Sequence, residues 1–259
     1  MASRDDRRAV KELCPLAQKV MQIFEVWEKA DFFALPQLCA TLNAACSQGD
    51  GMLTLMAFSC LGSYKGKQEL RADLFETYFM RSRKFQKMQE LLAGIKEVVD
   101  ARVLVILPDQ EPRRTWGWNR NSADLRFECE YMVEEARDAG LIPDHWDIAA
   151  WSALEEAIAG RSTITHEQAL RWAQEPGQAL IVHQEDMLLQ RYPNILFAQG
   201  TRDAAVRQVA GYALEGHVLE VVHPNAVFVQ TEASPERKDR MYQPLRHAPM
   251  PIIHPFDSD

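Results

Sequence analysis

Two apolar runs most narrow what this chain can become. Residues 52–60 read MLTLMAFSC behind Gly49 and Gly51, and residues 102–110 read RVLVILPDQ. An unbroken apolar run suits a strand buried on both faces, and the Val/Ile/Leu run stopped by Pro108 is the firmer of the two. The first run is also compatible with a buried helix. Between them, from about Gln68 to Val98, the pattern is that of a long helix. Strand, helix, strand in that order predicts a right-handed crossover and a parallel sheet with helices on its faces. In such sheets ligands sit beyond the carboxyl ends of the strands, so Phe58–Gly66 and Pro108–Trp118 are where a site is expected.

The remaining segments fit that frame. Residues 5–30 read as one helix, with Val10, Leu13, Leu16, Ala17, Val20, Ile23, Phe24 and Trp27 forming an apolar stripe. Further helices are expected at about 121–139, after the capping box Thr165/Gln168, at 178–192 and at 202–220. Residues 226–230, AVFVQ, read as a short strand. Ser234 and Pro235 open a short helix to Tyr242, and Ile252 and Ile253 add an edge strand. The expected fold class is therefore α/β, a Rossmann-like three-layer arrangement with a mostly parallel sheet. We read 1–259 as a single catalytic domain with an N-terminal helical extension at about 1–48.

Composition removes several function classes. The formal net charge of −8 argues against general nucleic-acid affinity, so an RNA partner would need a local basic patch. Arg81, Arg83, Lys84 and Lys87 form one such patch, although the solvated face of a helix accounts for them equally well. The five cysteines include no CxxC pair, and none of the seven histidines pairs with another at metal-ligand spacing, so no metal is expected. Reduced thiols, a charged N-terminal segment and the lack of a membrane-length apolar stretch suit a cytoplasmic protein that does not engage a membrane. The P-loop, the GxGxxG fingerprint, the GxSxG elbow and HExxH are all missing.

At the end of the first strand the chain reads Ala57-Phe58-Ser59-Cys60-Leu61-Gly62-Ser63-Tyr64. Downstream come Glu185-Asp186-Met187, then Gly211-Tyr212-Ala213-Leu214-Glu215, then Met241-Tyr242-Gln243. In order and spacing this series resembles the cyclodipeptide synthases, which join two aminoacyl groups into a cyclic dipeptide. Ser59, Ser63 and Tyr64 match that family's serine segment in register, with Ala57 where the family usually has glycine. Tyr212 and Leu214 match its Y-x-L-x-E pattern, while Glu215 sits one residue early, so the acid's role either stays with Glu215 through a local shift, moves to Glu220, or is lost. Tyr242 matches a C-terminal tyrosine, with Gln243 where the family has histidine. The fold implied is that of the class I aminoacyl-tRNA synthetase catalytic domain without a functional ATP site.

The resemblance implies two aminoacyl-tRNAs as substrates and no cofactor. Ser59 would carry the aminoacyl ester, Tyr212 and Glu215 would orient the amine, and Tyr242 would relay a proton during cyclisation. Ser63, Tyr64, Asp109, Glu111 and Trp116 are candidates for lining the substrate pocket. Trp116 and Trp118 flank Gly117 and could line a side-chain pocket, stack on an adenine, or pack the loop onto the sheet. Divergent fungal members of that family make arginine-containing cyclic dipeptides, and Asp109 and Glu111 would suit such a guanidinium substrate, or simply cap the next helix. The helix at 121–139 is acidic where many family members carry a basic one. A Rossmann-like nucleotide or small-molecule binding protein without acyl transfer is the alternative reading.

Overall fold

A computed structural model describes residues 4–26, 31–47, 51–58, 83–114, 117, 119–140, 142–143, 145–160, 164–191, 197, 199–229 and 240–254. Their elements, in chain order, are α1 (Arg4–Lys11), α2 (Pro15–Val26), β1 (Asp31–Phe33), α3 (Leu35–Ser47), β2 (Leu53–Phe58), α4 (Arg83–Lys96), β3 (Ala101–Leu107), α5 (Glu111–Arg114) and α6 (Ser122–Asp138). They continue with β4 (Trp146–Ala150), α7 (Trp151–Ala157), α8 (His166–Gln174), α9 (Gln178–Arg191), α10 (Thr201–Val222), β5 (Ala226–Val229) and β6 (Ile252–His254).

The two apolar runs are adjacent parallel strands, paired from Leu53 opposite Ala101 to Phe58 opposite Ile106. They form the middle of a six-stranded sheet of order β1-β6-β5-β2-β3-β4, parallel throughout except for β1 at one edge. The side-chain alternation of a strand divides the core in two. Leu53, Leu55, Ala57, Val103, Val105, Val227 and Val229 face one way and pack with residues of α2, α3, α4 and α6. Met56, Leu104, Ile106 and Phe228 face the other way, against α7 to α10. Both faces are covered, which is why these strands read as apolar runs without alternation. The architecture is α/β in three layers, as expected. Among the described residues no helix is long and apolar enough to cross a membrane.

Some local expectations change. The helix expected over 5–30 is two helices, because Pro15 has no backbone N–H to continue the first. Pro15 instead opens α2, where proline is tolerated. The break is held by Asn43 of α3, whose side chain accepts the Cys14 N–H at 2.8 Å and donates to the Glu12 carbonyl at 3.1 Å. Ile252 and Ile253 do form a strand, but it lies inside the sheet between β1 and β5 rather than at its edge. Strands β1 and β4 carry no apolar run in sequence and are new with the structure. Glu185–Met187 fall within α9, the helix expected at 178–192. The capping box is present, with Thr165 Oγ1 accepting from Gln168 and the Gln168 side chain accepting from Thr165. The segment at 230–239, where Ser234 and Pro235 predict a helix start, lies outside the described residues.

The topology fixes where a ligand would sit. From β2 the chain crosses to β3 on one side, whereas β5, its neighbour on the other side, is entered later from α10. The connections therefore diverge between β2 and β5, and the crevice beyond their carboxyl ends is the switch point of the sheet.

Candidate active site

Phe58, the last residue of β2, projects at this switch point onto the α7–α10 side. Around it stands a cluster of aromatic rings. Phe58 stacks on Tyr242 with ring centroids 6.0 Å apart and planes 9° apart. It also meets Phe228 of β5 at 5.7 Å and Trp151 of α7 at 6.2 Å. Tyr212 of α10 meets the Tyr242 ring edge-on at 5.4 Å. Such tilted and edge-on pairs are the favoured arrangement of aromatic quadrupoles and hold rings in fixed orientations. Tyr212 and Tyr242, far apart in sequence, are thus brought together beside the residue that precedes Ser59.

Tyr242 reaches this place because α10 carries a glycine beneath it. A Cβ on Gly216 would lie 1.9 Å from the Tyr242 carbonyl oxygen, so the two backbones meet only where there is no side chain. Tyr212 is aligned from its own helix by Gln208, which donates to its hydroxyl at 3.4 Å and accepts a hydrogen bond from Gln184 of α9.

A polar arc lies next to the rings. Arg114, at the end of α5, donates both guanidinium ends to Glu155 of α7 at 2.7 Å. Burial pulls the Arg114 pKa down, but the Glu155 hydrogen bonds and the charges of Glu155, Glu215 and Asp109 outweigh it, leaving the pKa raised. Glu215 therefore stands within electrostatic reach of Arg114, one helical turn from Tyr212 on the same helix. His166, at the start of α8, faces the same arc. Burial first, and the positive charge of Arg114 second, hold its pKa below the usual imidazole value.

Asp109 is fully buried and accepts from the Ser152 backbone N–H at 3.0 Å, the Ser152 hydroxyl at 2.7 Å and the Gln110 amide at 2.7 Å. Gln110 in turn exchanges hydrogen bonds with Ser122 of α6. Asp109 is thus a clasp between the end of β3 and the start of α7. A buried carboxylate is tolerated where its lone pairs are met in this way.

The remaining expected site residues divide as follows. Glu220 lies two turns beyond Tyr212 on α10 and accepts from the backbone N–H groups of His247 and Ala248. Ser59, Ser63, Tyr64, Arg81 and Trp116 lie outside the described residues, as do the side chains of Arg83, Lys84, Lys87 and Glu111. The backbone of Arg83, Lys84 and Lys87 is in the first turns of α4. That helix feeds β3 from its far end, so its start lies toward the carboxyl ends of the strands.

Trp151, Glu155, His166, Gln208 and Phe228 are site residues that sequence reading does not find. Arg114 stands out in sequence only as one of two adjacent basic residues. Its place directly after the strongest strand is the available signal, whereas the others carry none in their local sequence.

No family model and no curated protein matches the chain. Among solved structures it is similar to the PvcA protein from Pseudomonas aeruginosa, with 14% identity over 90% of this chain and 80% of that one, at a TM-score of 0.47. It is also similar to Plasmodium falciparum tryptophanyl-tRNA synthetase, with 11% identity over 98% of this chain and 60% of that one, at a TM-score of 0.43.

Proposed function

We propose that the chain is an aminoacyltransferase that joins two aminoacyl groups from aminoacyl-tRNAs into a cyclic dipeptide through an ester on Ser59. The observation that carries this reading is the meeting of Tyr212 and Tyr242 next to Phe58 at the switch point, with Glu215 one turn away. These are residues of three separate sequence segments, each singled out by the same resemblance. The arginine-using variant of the reading draws less support. Glu155 already holds Arg114, and Asp109 is engaged by Ser152 and Gln110, so two acids of the rim are committed within the protein.

In the proposed reaction the Ser59 hydroxyl attacks the carbonyl carbon of the aminoacyl ester. The ribose oxygen leaves with the serine proton, and the aminoacyl group remains on Ser59. Its free amine then attacks the second aminoacyl-tRNA, releasing the second tRNA and leaving a dipeptidyl ester. The terminal amine of that dipeptide closes on the ester carbonyl, and the Ser59 oxygen recovers a proton as the ring departs. Each attacking amine must first be neutral. Glu215 holds and deprotonates it, and Tyr212 and Tyr242 orient it and relay the proton.

Incubation with radiolabelled aminoacyl-tRNA tests the proposal. The protein should acquire label that Ser59→Ala abolishes, and a diketopiperazine mass should appear in expressing cultures. Glu215→Gln should keep the label but lose most of the cyclic product. Undiminished label and product from Ser59→Ala would sink the reading, and stoichiometric small-molecule binding without label would favour the binding-protein alternative.

A further inference from the structure

The far half of α10 carries a second constellation, unconnected with acyl transfer. His217 and Glu220 are three residues apart on the helix and share a face. His247 comes from the C-terminal segment that crosses this face. One ligating atom from each residue lies within 4.8 Å of the other two. Because Glu220 and His247 are 27 positions apart, no linear motif announces the cluster.

We propose that His217, Glu220 and His247 bind one divalent transition-metal ion, and that this ion staples the segment 240–254 to α10. Two imidazoles and one carboxylate form a donor set for zinc and its first-row neighbours, whereas magnesium and calcium prefer oxygen alone. Zinc bonds of about 2.0–2.1 Å place tetrahedral ligand atoms roughly 3.4 Å apart. Glu220 and His247 Nδ1 already meet that spacing at 3.2 Å, and the widest separation must close by up to about 1.4 Å. His247, whose side chain is 87% exposed, is free to supply the movement.

The other two ligands are already held in place. Glu220 accepts from the backbone N–H of His247 at 2.9 Å and of Ala248 at 2.7 Å, and lies 3.2 Å from His247 Nδ1. A carboxylate has about four lone-pair positions, so acceptance from two amides leaves capacity for a metal. The His217 ring is hydrogen-bonded to the Leu245 backbone, the kind of outer partner that fixes the orientation of a ligating imidazole. Arg246 is the charge that opposes a cation here. Its guanidinium lies within electrostatic reach of Glu220 and His217, but its N–H groups are engaged by the carbonyls of Gly216 at 2.6 Å and Ala248 at 2.9 Å rather than by the Glu220 carboxylate.

Titration of the full-length chain with zinc chloride, followed by calorimetry and thermal melting, tests the site. One zinc per chain and a raised melting temperature are expected, with no response to magnesium. His247→Ala should weaken zinc binding by at least the about 10–100-fold that loss of an outer-shell partner costs a metal site. Failure of the parent protein to bind zinc, or undiminished binding by His247→Ala, overturns the proposal; the latter would point to the cysteines. If His247→Ala melts lower even without metal, the parent loaded with cobalt(II) decides. A visible band typical of nitrogen and oxygen ligands, removed by EDTA, supports the site, and a thiolate charge-transfer band or no band refutes it.

Discussion

Gly216 shows how much a single missing side chain can decide. It sits in the interior of a 22-residue helix, where glycine costs about 1 kcal/mol relative to alanine. The cost is offset because Tyr242 packs backbone against backbone there. Gly211 of the same helix has nothing within 4 Å of where a Cβ would stand. The two glycines should therefore respond oppositely to alanine. Gly211→Ala should be neutral or stabilising by up to about 1 kcal/mol. Gly216→Ala should destabilise by about 1–3 kcal/mol through overpacking and should displace Tyr242 from the rings. Urea denaturation of both variants, with near-ultraviolet circular dichroism reporting the aromatic cluster, measures the contrast. Equal stabilities would show that the segment around Tyr242 yields freely. Arg114 makes the complementary point. It reads as an ordinary surface base in sequence, and its meaning comes from Glu155, 41 positions away.

At the scale of elements, the helix entering β3 is where docking of a large polyanion is most directly tested. Arg83, Lys84 and Lys87 lie in its first turns, at the same end of the sheet as the rings. Replacing Lys84 and Lys87 with glutamate should weaken tRNA binding and flatten its dependence on salt by about one unit of slope for each phosphate no longer neutralised. Filter binding across a series of salt concentrations measures that slope. Binding and slope that do not change would assign these residues to solvated surface, and Arg113 would be tested next. The acidic helix α6 makes the same argument from the other side. Asp124, Glu128, Glu130, Glu134, Glu135 and Asp138 would repel a phosphate backbone, so a nucleic acid must approach from elsewhere.

For the whole molecule, half-buried imidazoles predict the direction of acid sensitivity. His166 and His223 both have lowered pKa values, each chiefly through burial, with Arg114 and Arg102 respectively adding positive charge nearby. In the unfolded chain each titrates near about 6.5. Between that value and the lower folded one, the unfolded chain binds more protons, so stability rises with pH. Their contribution is fully present above about pH 6.5 and is lost as the pH falls through the folded values. The urea midpoint should fall on acidification from mildly alkaline to mildly acidic buffer, and His166→Asn should make the fall shallower. A midpoint that rises on acidification would contradict the assignment. The three-layer fold was legible in the sequence because buried parallel strands must be apolar on both faces, and a crossover between them leaves few topologies. Ser59, Tyr212 and Tyr242 were legible as candidates because their segments keep a recognisable order. What holds Asp109 and Arg114, and that β6 lies inside the sheet, were decided only by tertiary structure. Each depends on residues tens of positions apart, and local propensity and spacing carry no record of which of them the packing brings together.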